Sequence, residues 1–314
     1  VFGARFTDLI VYNASVQGIT YEKDGKSFDF ETDTVILAIG HSARDTVEML
    51  YKKGINMIQK PFSVGARIEH PREMIDKSQY GAFAGHPALS AAVYKLACHG
   101  EHERGAYTFC MCPGGTVINA TSEPNGVVTN GMSEFARDKE NSNSAILVNV
   151  YPEDFPSEHP LAGFELQKSI EHKAFDLGGR DYTAPCQLVG DFLNNTPSKK
   201  LSFVNPSFTT GVTPSDIRLV LPKKVTDTMA SAIVQMDKKL SGFALPQAVL
   251  TAPESRSSSP VRILRDDIFQ ANIRGLYPCG EGAGYAGGIV SAAVDGLKTA
   301  HAVLLDESEL NHRT

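Results

Sequence analysis

The residues best placed by type and spacing for chemistry form a glycine-rich run near the carboxyl end, GLYPCGEGAGYAGGIVSAAVDGLKTA, at 275–300. An apolar segment leads into glycines and then into Ile289, Ala293 and Leu297 at helical spacing, which predicts strand, turn and helix. Glycines let the backbone approach a flat or phosphorylated ligand, and the helix start presents unpaired N–H groups. Glu281, inside the turn, can accept hydrogen bonds from the hydroxyls of a sugar or ribityl chain. The pattern predicts a ligand site, with a tight strand-to-helix connection as the alternative.

Two cysteines, Cys110 and Cys112, precede Pro113-Gly114-Gly115 and could do redox chemistry. Dithiol chemistry usually uses C-x-x-C at a helix start, where the dipole lowers the thiol pKa, whereas this C-x-C falls in a predicted strand. On a strand the two side chains share a face and need not meet. Buried small apolar residues are the favoured interpretation, and Cys112 is kept as a catalytic candidate. The spacing is poor for a metal pair and no second pair completes a tetrahedral site, so no metal site is predicted.

Charged side chains in three other places are further candidates. Arg256, flanked by hydroxyls in ESRSSSP, is suited to bidentate binding of a carboxylate or phosphate. An anion or flavin contact and a purely structural ordered loop are equally open there. Arg67 and Glu69 share a face of a predicted strand, as an ion pair or a substrate clamp, and the structural pair is favoured. His41 is a candidate acid or base, with a hydrogen-bonding spacer as the favoured alternative.

The run PCGEGAGYAGGIVSAAVDG resembles the C-terminal flavin-contacting motif of two-dinucleotide-fold flavoproteins, specifically the uncharacterized FAD-dependent dehydrogenases of bacteria. Further stretches resemble the same family in the expected order: VILAIGHSARDT at 35–46, FSVGARIEHP at 62–71, FCMCPGGTVINA at 109–120, VTNGMS at 128–133 and ESRSSSPVRILRD at 254–266. The resemblance implies hydride or electron transfer through FAD to an unknown small-molecule substrate, with NAD(P)H or another electron carrier as a partner. It implies these cofactor contacts: Gly40, His41, Ser42, Gly280, Glu281, Gly282, Ala283, Gly287, Gly288 and Ile289.

A dinucleotide fold is normally marked by G-x-G-x-x-G between its first strand and helix, with an acidic residue about 20 positions later. We expect no such fingerprint in this chain, which opens directly on strand-like sequence at Val1. Members of the resembling family have it in a segment ahead of this point. We therefore expect a C-terminal part of a longer protein, without the site for the adenosine diphosphate half. We expect this chain to be isolated without FAD and to be inactive alone.

The predicted fold is α+β with an α/β component. A remnant of an FAD-binding, glutathione-reductase-like domain is expected at 1–59 and 271–314, around a mixed, largely antiparallel α+β insertion at 60–270 that serves as the substrate domain. The run Thr34–Ile39 is continuous and β-branched, as expected of a strand buried on both faces. It should neighbour Leu276–Cys279 in one sheet, because both glycine turns must reach one ligand.

Composition argues against several classes of protein. Among 314 residues, 30 basic and 36 acidic side chains give a net charge of −6 without a basic block, so no nucleic-acid partner is predicted. No apolar run approaches the length of a membrane span, and no signal-like segment opens the chain, so a cytoplasmic protein without a membrane partner is predicted. Five cysteines, an odd number, favour reduced thiols over a disulfide framework.

Three alternatives to the flavoprotein interpretation remain open. A structural or interaction domain that packs against an N-terminal nucleotide-binding partner would lack an organised pocket around Glu281. A thiol redox enzyme would need Cys110 or Cys112 exposed with a depressed pKa. A nicotinamide-only dehydrogenase would need a phosphate-binding fingerprint of its own, which we do not expect in this chain.

Overall fold

Two compact units make up the chain in the computed structural model, which describes residues 1–99 and 103–311. Unit 1 comprises Val1–Phe62, Tyr151–Glu165 and Ser258–Thr314, and unit 2 comprises Ser63–Val150 and Leu166–Ser257. These bounds differ from the predicted ones, because residues 151–165 and 258–270 belong to unit 1. One cause is that Val261–Ile263 pairs with Met57–Gln59. The assignment of cofactor and substrate roles to the units stays a prediction.

Short strands outnumber helices, as the frequent turn residues indicate. The strands are β1 (Arg5–Tyr12), β2 (Ser15–Lys23), β3 (Lys26–Glu31), β4 (Val35–Leu37), β5 (Met57–Gln59), β6 (Phe62–Pro71), β7 (Ala97–His99), β8 (Gly105–Cys112), β9 (Thr116–Asn119), β10 (Thr129–Met132), β11 (Asn141–Val150), β12 (Ala184–Leu188), β13 (Val212–Pro214), β14 (Val249–Glu254), β15 (Val261–Ile263) and β16 (Leu276–Pro278). The helices are α1 (Arg44–Lys52), α2 (Arg72–Tyr80), α3 (Ala162–Gly178), α4 (Val189–Leu193), α5 (Lys223–Asp237) and α6 (Ile289–Asn311). None of the helices within the described residues is long and apolar enough to cross a membrane.

Unit 1 begins with the antiparallel meander β1-β2-β3. The turn between β2 and β3 contains Asp24 and Gly25, both in the left-handed region with φ of 51° and 71°. Two such residues form the tight hairpin turn that an Asp-Gly pair between two strands favours. The meander packs on an apolar core that includes Leu9 and Val16.

The strands from the two ends of unit 1 pair in parallel. Val35, Ile36 and Leu37 of β4 lie opposite residues 276–278 of β16, which confirms that these runs are neighbouring strands. Leu37 is buried, but Ile36 is 45% exposed, so the prediction of burial on both faces is wrong for this chain. The reason is that β4 and β16 form a two-stranded pair, to which no other described strand adds.

Unit 2 is built on a seven-stranded sheet in the order β13-β12-β14-β6-β11-β8-β7. The β12–β13 pair is parallel, whereas β12–β14, β14–β6, β11–β8 and β7–β8 are antiparallel, so the sheet is mixed and the architecture α+β. At its centre β6 approaches β11 so closely that a Cβ on Gly65 would lie 1.8 Å from the carbonyl oxygen of Ile146. The stripe Val225, Met229, Ile233, Met236 and Leu240 that begins on α5 is buried core, as its spacing predicts.

Candidate functional site

Two glycine turns meet at the carboxyl ends of β4 and β16. The amide of Cys279 donates to the carbonyl of Leu37 at 3.0 Å and continues the parallel pairing. Beyond it, the carbonyl oxygen of Gly40 lies so near Gly282 that a Cβ there would be 2.3 Å away. Real Cβ contacts are longer, so the close approach of the two backbones requires glycine at 282.

A histidine and a glutamate join the two turns. His41 Nδ1 and Glu281 Oε1 are 2.9 Å apart, and the side chains are 22% and 27% exposed. The contact makes Nδ1 the donating nitrogen and sets the orientation of the imidazole. A histidine that is oriented by a carboxylate and partly open to solvent can give or take a proton.

Lys60, which sequence reasoning did not single out, lies beside the same turn. A Cβ on Gly284 would be 3.2 Å from Lys60 Cδ, and the ammonium donates to the carbonyl of Ser259 at 3.3 Å. Burial lowers the pKa of Lys60 and the nearby Arg262 lowers it further, while the carboxylate of Glu281 acts in the opposite direction. No sequence spacing could reveal this neighbourhood, because the pairing of β5 with β15 creates it.

An ion pair holds the base of the turn. Asp295 on α6 accepts the amide of Gly280 at 2.7 Å and two guanidinium N–H groups of Arg265 at 2.6 and 3.0 Å. Arg265 also lies over the ring of Tyr285, 3.6 Å from its centroid. Burial acts to raise the pKa of Asp295, but the hydrogen bonds from Arg265 and Gly280 outweigh it and the pKa is lowered. Sequence reasoning missed this clamp, although an aspartate inside an apolar helical pattern was a signal for it.

The apolar face of α6 is exposed in this chain. Ile289 and Leu297 are 93% and 73% exposed in this chain, whereas Asp295 and Thr299 are buried. The cause is the clamp on the glycine turn, which directs the Asp295 side of the helix inward. The apolar side chains at the start of α6 therefore lie open beside the turn.

The remaining predicted cofactor contacts lie around the same turns. Ala283 is buried and its carbonyl accepts the amide of Ile263 at 3.1 Å, and the carbonyl of Ser42 accepts the amide of Arg44 at 2.9 Å. A Cβ on Gly287 would meet nothing within 4 Å, so the backbone there borders open space. Together with Gly40, His41, Gly280, Glu281, Gly282, Gly288 and Ile289, these residues all belong to unit 1. Their contacts with a cofactor stay a prediction.

A glycine pattern that sequence reasoning did not expect lies in this turn. Gly282, Gly284 and Gly287 have the spacing G-x-G-x-x-G between β16 and α6, so a pattern of this spacing is present after all. The dinucleotide fingerprint also requires a second strand after the helix, with an acidic residue at its end. The spacing alone is therefore weak support for a dinucleotide site.

Arg256, the predicted anion binder, is buried in unit 2. Its Nε and Nη2 donate to the carboxylate of Glu171 at 3.0 and 2.8 Å, and its Nη1 contacts the hydroxyl of Ser122. Ser255 donates to the same carboxylate at 2.8 Å. The anion that Arg256 binds in this structure is a protein carboxylate, which favours the structural alternative.

Arg67 and Glu69 do not pair with each other, so that prediction is wrong. Arg67 is fully buried and donates through Nε and Nη2 to both carboxylate oxygens of Glu254, each at 2.9 Å. Glu69 accepts instead from the hydroxyl of Ser207 at 2.6 Å and from the amide of Asn141 at 3.2 Å. The cause is the sheet order, because β14 lies beside β6 and carries Glu254 to the arginine.

Cys110 and Cys112 lie at the end of β8, and their side chains differ in exposure to solvent. Cys110 is exposed and Cys112 is buried. The expectation of two buried apolar residues is therefore wrong for Cys110. Within the described residues, no group of histidines, cysteines and carboxylates is arranged to hold a metal ion.

Comparison with known proteins places these observations in a family. The chain is 48% identical over 309 residues to an uncharacterized protein of Clostridium beijerinckii, covering 96% of this chain and 58% of the relative. The chain thus spans little more than half the length of the curated relative that it matches.

Two solved structures resemble the chain weakly. One is the flavin-dependent brominase Bmp2 triple mutant, at 10% identity and a TM-score of 0.35, with 95% of this chain and 49% of that chain covered. The other is a single-substitution mutant of the E. coli quinol fumarate reductase FrdA, at 14% identity and a TM-score of 0.30, with 99% and 48% covered.

A family model matches all of unit 2. It covers residues 61–257 and is described as FAD-dependent protein, C-terminal domain-like. With more than half of the 314 residues matched, the chain belongs to the FAD-dependent protein, C-terminal domain-like family.

Proposed function

We propose that this chain is the C-terminal part of an FAD-dependent oxidoreductase acting on a small-molecule substrate. The observation that supports this most is the meeting of the Gly40 and Gly282 turns at the ends of two parallel strands, with His41 paired to Glu281. The crevice beyond the carboxyl ends of parallel strands is where α/β sheets bind cofactors. Membership of an FAD-dependent family supports FAD as that cofactor.

The residues at these turns are chemically suited to the flavin end of FAD. The backbone at Gly287 borders open space, so a flat ring can approach it without a side chain in the way. The first turn of α6 follows at once and offers N–H groups to a carbonyl oxygen. Exposed Ile289 supplies an apolar contact for a ring. Glu281 can accept hydrogen bonds from ribityl hydroxyls.

FAD, when bound, supplies the hydride or electron transfer, and the side chains position it and handle protons. His41 is the residue best placed for a proton, because Glu281 orients its ring and part of it is exposed. Lys60 brings a positive charge to the Glu281 side of the turn, although its burial disfavours the charged form. NAD(P)H or another electron carrier would be the second substrate.

Binding of the whole cofactor to this chain should be weak. The pyrophosphate and adenosine of a dinucleotide are normally bound by the first strand, its glycine turn and the acidic residue beyond. The opening strands of this chain carry no such turn. Losing about 4 kcal/mol of contacts weakens affinity about a thousandfold, so micromolar binding becomes millimolar or weaker. We expect the purified chain to elute from gel filtration without FAD, whereas stoichiometric yellow colour would contradict this.

The site itself can be tested at millimolar ligand. We expect riboflavin monophosphate to shift backbone amide resonances of residues 40–42 and 280–289 in the purified, isotope-labelled chain. Glu281→Gln should weaken this binding several-fold, because a neutral amide is a poorer acceptor for ribityl hydroxyls. Glu158→Gln, at an exposed glutamate of the same unit, is the matched control and should change nothing. Shifts that avoid both turns, or an equal response of the two variants, would overturn the proposal.

The structural alternative is distinguished by the same experiment. A domain that only packs against a partner predicts no ligand response at Glu281. The ordered group formed by His41, Glu281 and Lys60 favours the flavin proposal over this alternative.

A further inference from the structure

A β-bulge lies at the two cysteines of β8. Cys112 pairs with Asn143 and Phe109 pairs with Ala145, so two residues of β8, Cys110 and Met111, oppose one residue of β11. Cys110 has a φ of 46°, in the left-handed region that glycine adopts freely. A non-glycine residue there costs on the order of 1 kcal/mol. Bulges redirect side chains and recur beside active sites, so a thiol at a strained bulge position indicates a use for that thiol.

The bulge gives the two thiols different surroundings. The side chain of Cys110 is exposed, whereas Cys112 is 6% exposed. The Cys112 thiol donates to the backbone carbonyl oxygen of Cys110 at 3.3 Å. The pair therefore consists of one accessible thiol and one sheltered thiol that is bonded to the backbone of the first cysteine.

A buried arginine faces this pair. Arg67 Nη1 donates to the carbonyl of Cys110 at 2.8 Å and to Asn143 Oδ1 at 3.1 Å, and it lies 4.0 Å from Cys112 Sγ. The opposite edge of the guanidinium is bound by Glu254. Arg67 thus fixes the backbone of the bulge and brings positive charge to the two sulfurs.

These contacts favour a thiolate on the exposed cysteine. The neighbouring Cys112 side chain lowers the pKa of Cys110 to about 6, and the charge of Arg67 acts in the same direction against the effect of burial. The Cys110 side chain, together with burial, raises the pKa of Cys112. The first proton lost by the pair therefore leaves its charge on Cys110, and Cys112 keeps the second proton.

We propose that Cys110 and Cys112 form a redox-active dithiol that reduces small-molecule disulfides in solution, with Cys110 as the nucleophile and Cys112 as the resolving thiol. Because Cys110 is exposed and Cys112 is buried, a disulfide in solution must be attacked by Cys110. All the residues involved lie in unit 2, so the proposal is independent of the flavin site in unit 1.

The reaction balances as thiol–disulfide exchange. The Cys110 thiolate attacks one sulfur of R–S–S–R′, the S–S bond breaks, and R′S⁻ leaves and takes up a proton. Cys112 then loses its proton to solvent and attacks the sulfur of Cys110 in the mixed disulfide, and RS⁻ leaves. The substrate gains two electrons and two protons, and the protein gains a Cys110–Cys112 disulfide. The new bond can be reached through the exposed Cys110, so an external thiol can reduce it again and restore the dithiol.

Substitutions of Cys112 separate the two roles that it is assigned. In the wild-type chain, the pH midpoint for alkylation of Cys110 by iodoacetamide, followed by mass spectrometry, should lie near 6, whereas an ordinary cysteine gives about 8.5. Cys112→Ser keeps a hydrogen-bond donor and should keep a low midpoint. Cys112→Ala removes the donor and should raise the midpoint by roughly 1 pH unit or more. Cys98→Ala, at a half-buried cysteine of β7, is the matched control and should have no effect.

The exchange step is tested with glutathione disulfide. Wild-type protein should release two glutathione thiols per chain and form a Cys110–Cys112 disulfide, detected in the peptide that contains both residues. Cys112→Ser should stop at a stable glutathione adduct on Cys110. Cys110→Gly relieves the left-handed strain and should fold and not react at this site, which separates loss of the thiol from loss of folding. A wild-type midpoint near 8.5, or a lasting adduct on wild-type Cys110, would overturn the proposal.

Discussion

Breaking the buried pair between Arg67 and Glu254 is expected to destabilise the protein strongly. Arg67 is 0% exposed, and its Nε and Nη2 each lie 2.9 Å from a carboxylate oxygen of Glu254. Thr129 also donates to this carboxylate at 3.2 Å. Glu254→Gln keeps the shape but removes the negative charge, so the guanidinium stays buried without its counter-charge. Removing one partner of a buried pair costs about 3–5 kcal/mol, which is a large part of the about 5–15 kcal/mol that stabilises a typical protein.

Urea denaturation of the wild-type and Glu254→Gln chains measures this loss. The slope of the unfolding free energy against urea concentration should be the same for both chains if the substitution changes only stability. The matched control is Asp176→Asn, which breaks an ion pair with Arg180 on the surface of the same unit. Exposed pairs of this kind contribute about 0.3–0.5 kcal/mol. A loss below about 1 kcal/mol for Glu254→Gln would refute the reasoning, because it would mean that water or another group compensates Arg67. Since the charge of Glu254 raises the pKa of Cys110, the variant should also lower the alkylation midpoint of that thiol.

Two further predictions concern the glycine turn and a buried histidine. Gly282→Ala should destabilise unit 1 by about 2 kcal/mol or more, because the new Cβ would meet the Gly40 carbonyl. Gly287 borders open space, so Gly287→Ala should change stability by less than about 0.5 kcal/mol. Equal melting temperatures for the two variants would contradict this prediction. Burial lowers the pKa of His70 to about 4, although Nε2 donates to the carbonyl of Phe243 at 2.8 Å. Below about pH 6.5 the imidazole is protonated in the unfolded chain but stays neutral in the folded chain. The free energy of unfolding should therefore fall by about 3 kcal/mol as the pH is lowered from 6.5 towards 4. Denaturation at pH 7 and pH 4.5 checks it, and a His70→Gln chain with an equally steep pH dependence would contradict it.

Local sequence patterns determined much of the secondary structure. The Asp24-Gly25 hairpin, the α5 stripe and the strand–turn–helix at 275–300 follow from backbone preferences and side-chain periodicity, which act over a few neighbouring residues. The pairing of β4 with β16 was also predictable, because a single ligand site required both turns. The boundaries between the units were not, since residues 151–165 and 258–270 join unit 1 only through contacts far apart in sequence.

What the tertiary structure decided is which polar groups meet. Arg67 pairs with Glu254 rather than Glu69, and Asp295 rather than Ile289 lies on the buried side of α6, because strand order and a backbone amide outweigh the local pattern. The sequence by itself determined that two thiols lie one residue apart near a turn. Only the bulge in β8, where two residues face one, decided that Cys110 is exposed and Cys112 sheltered in contact with it. A bulge depends on the register with the neighbouring strand, which no periodicity within β8 records.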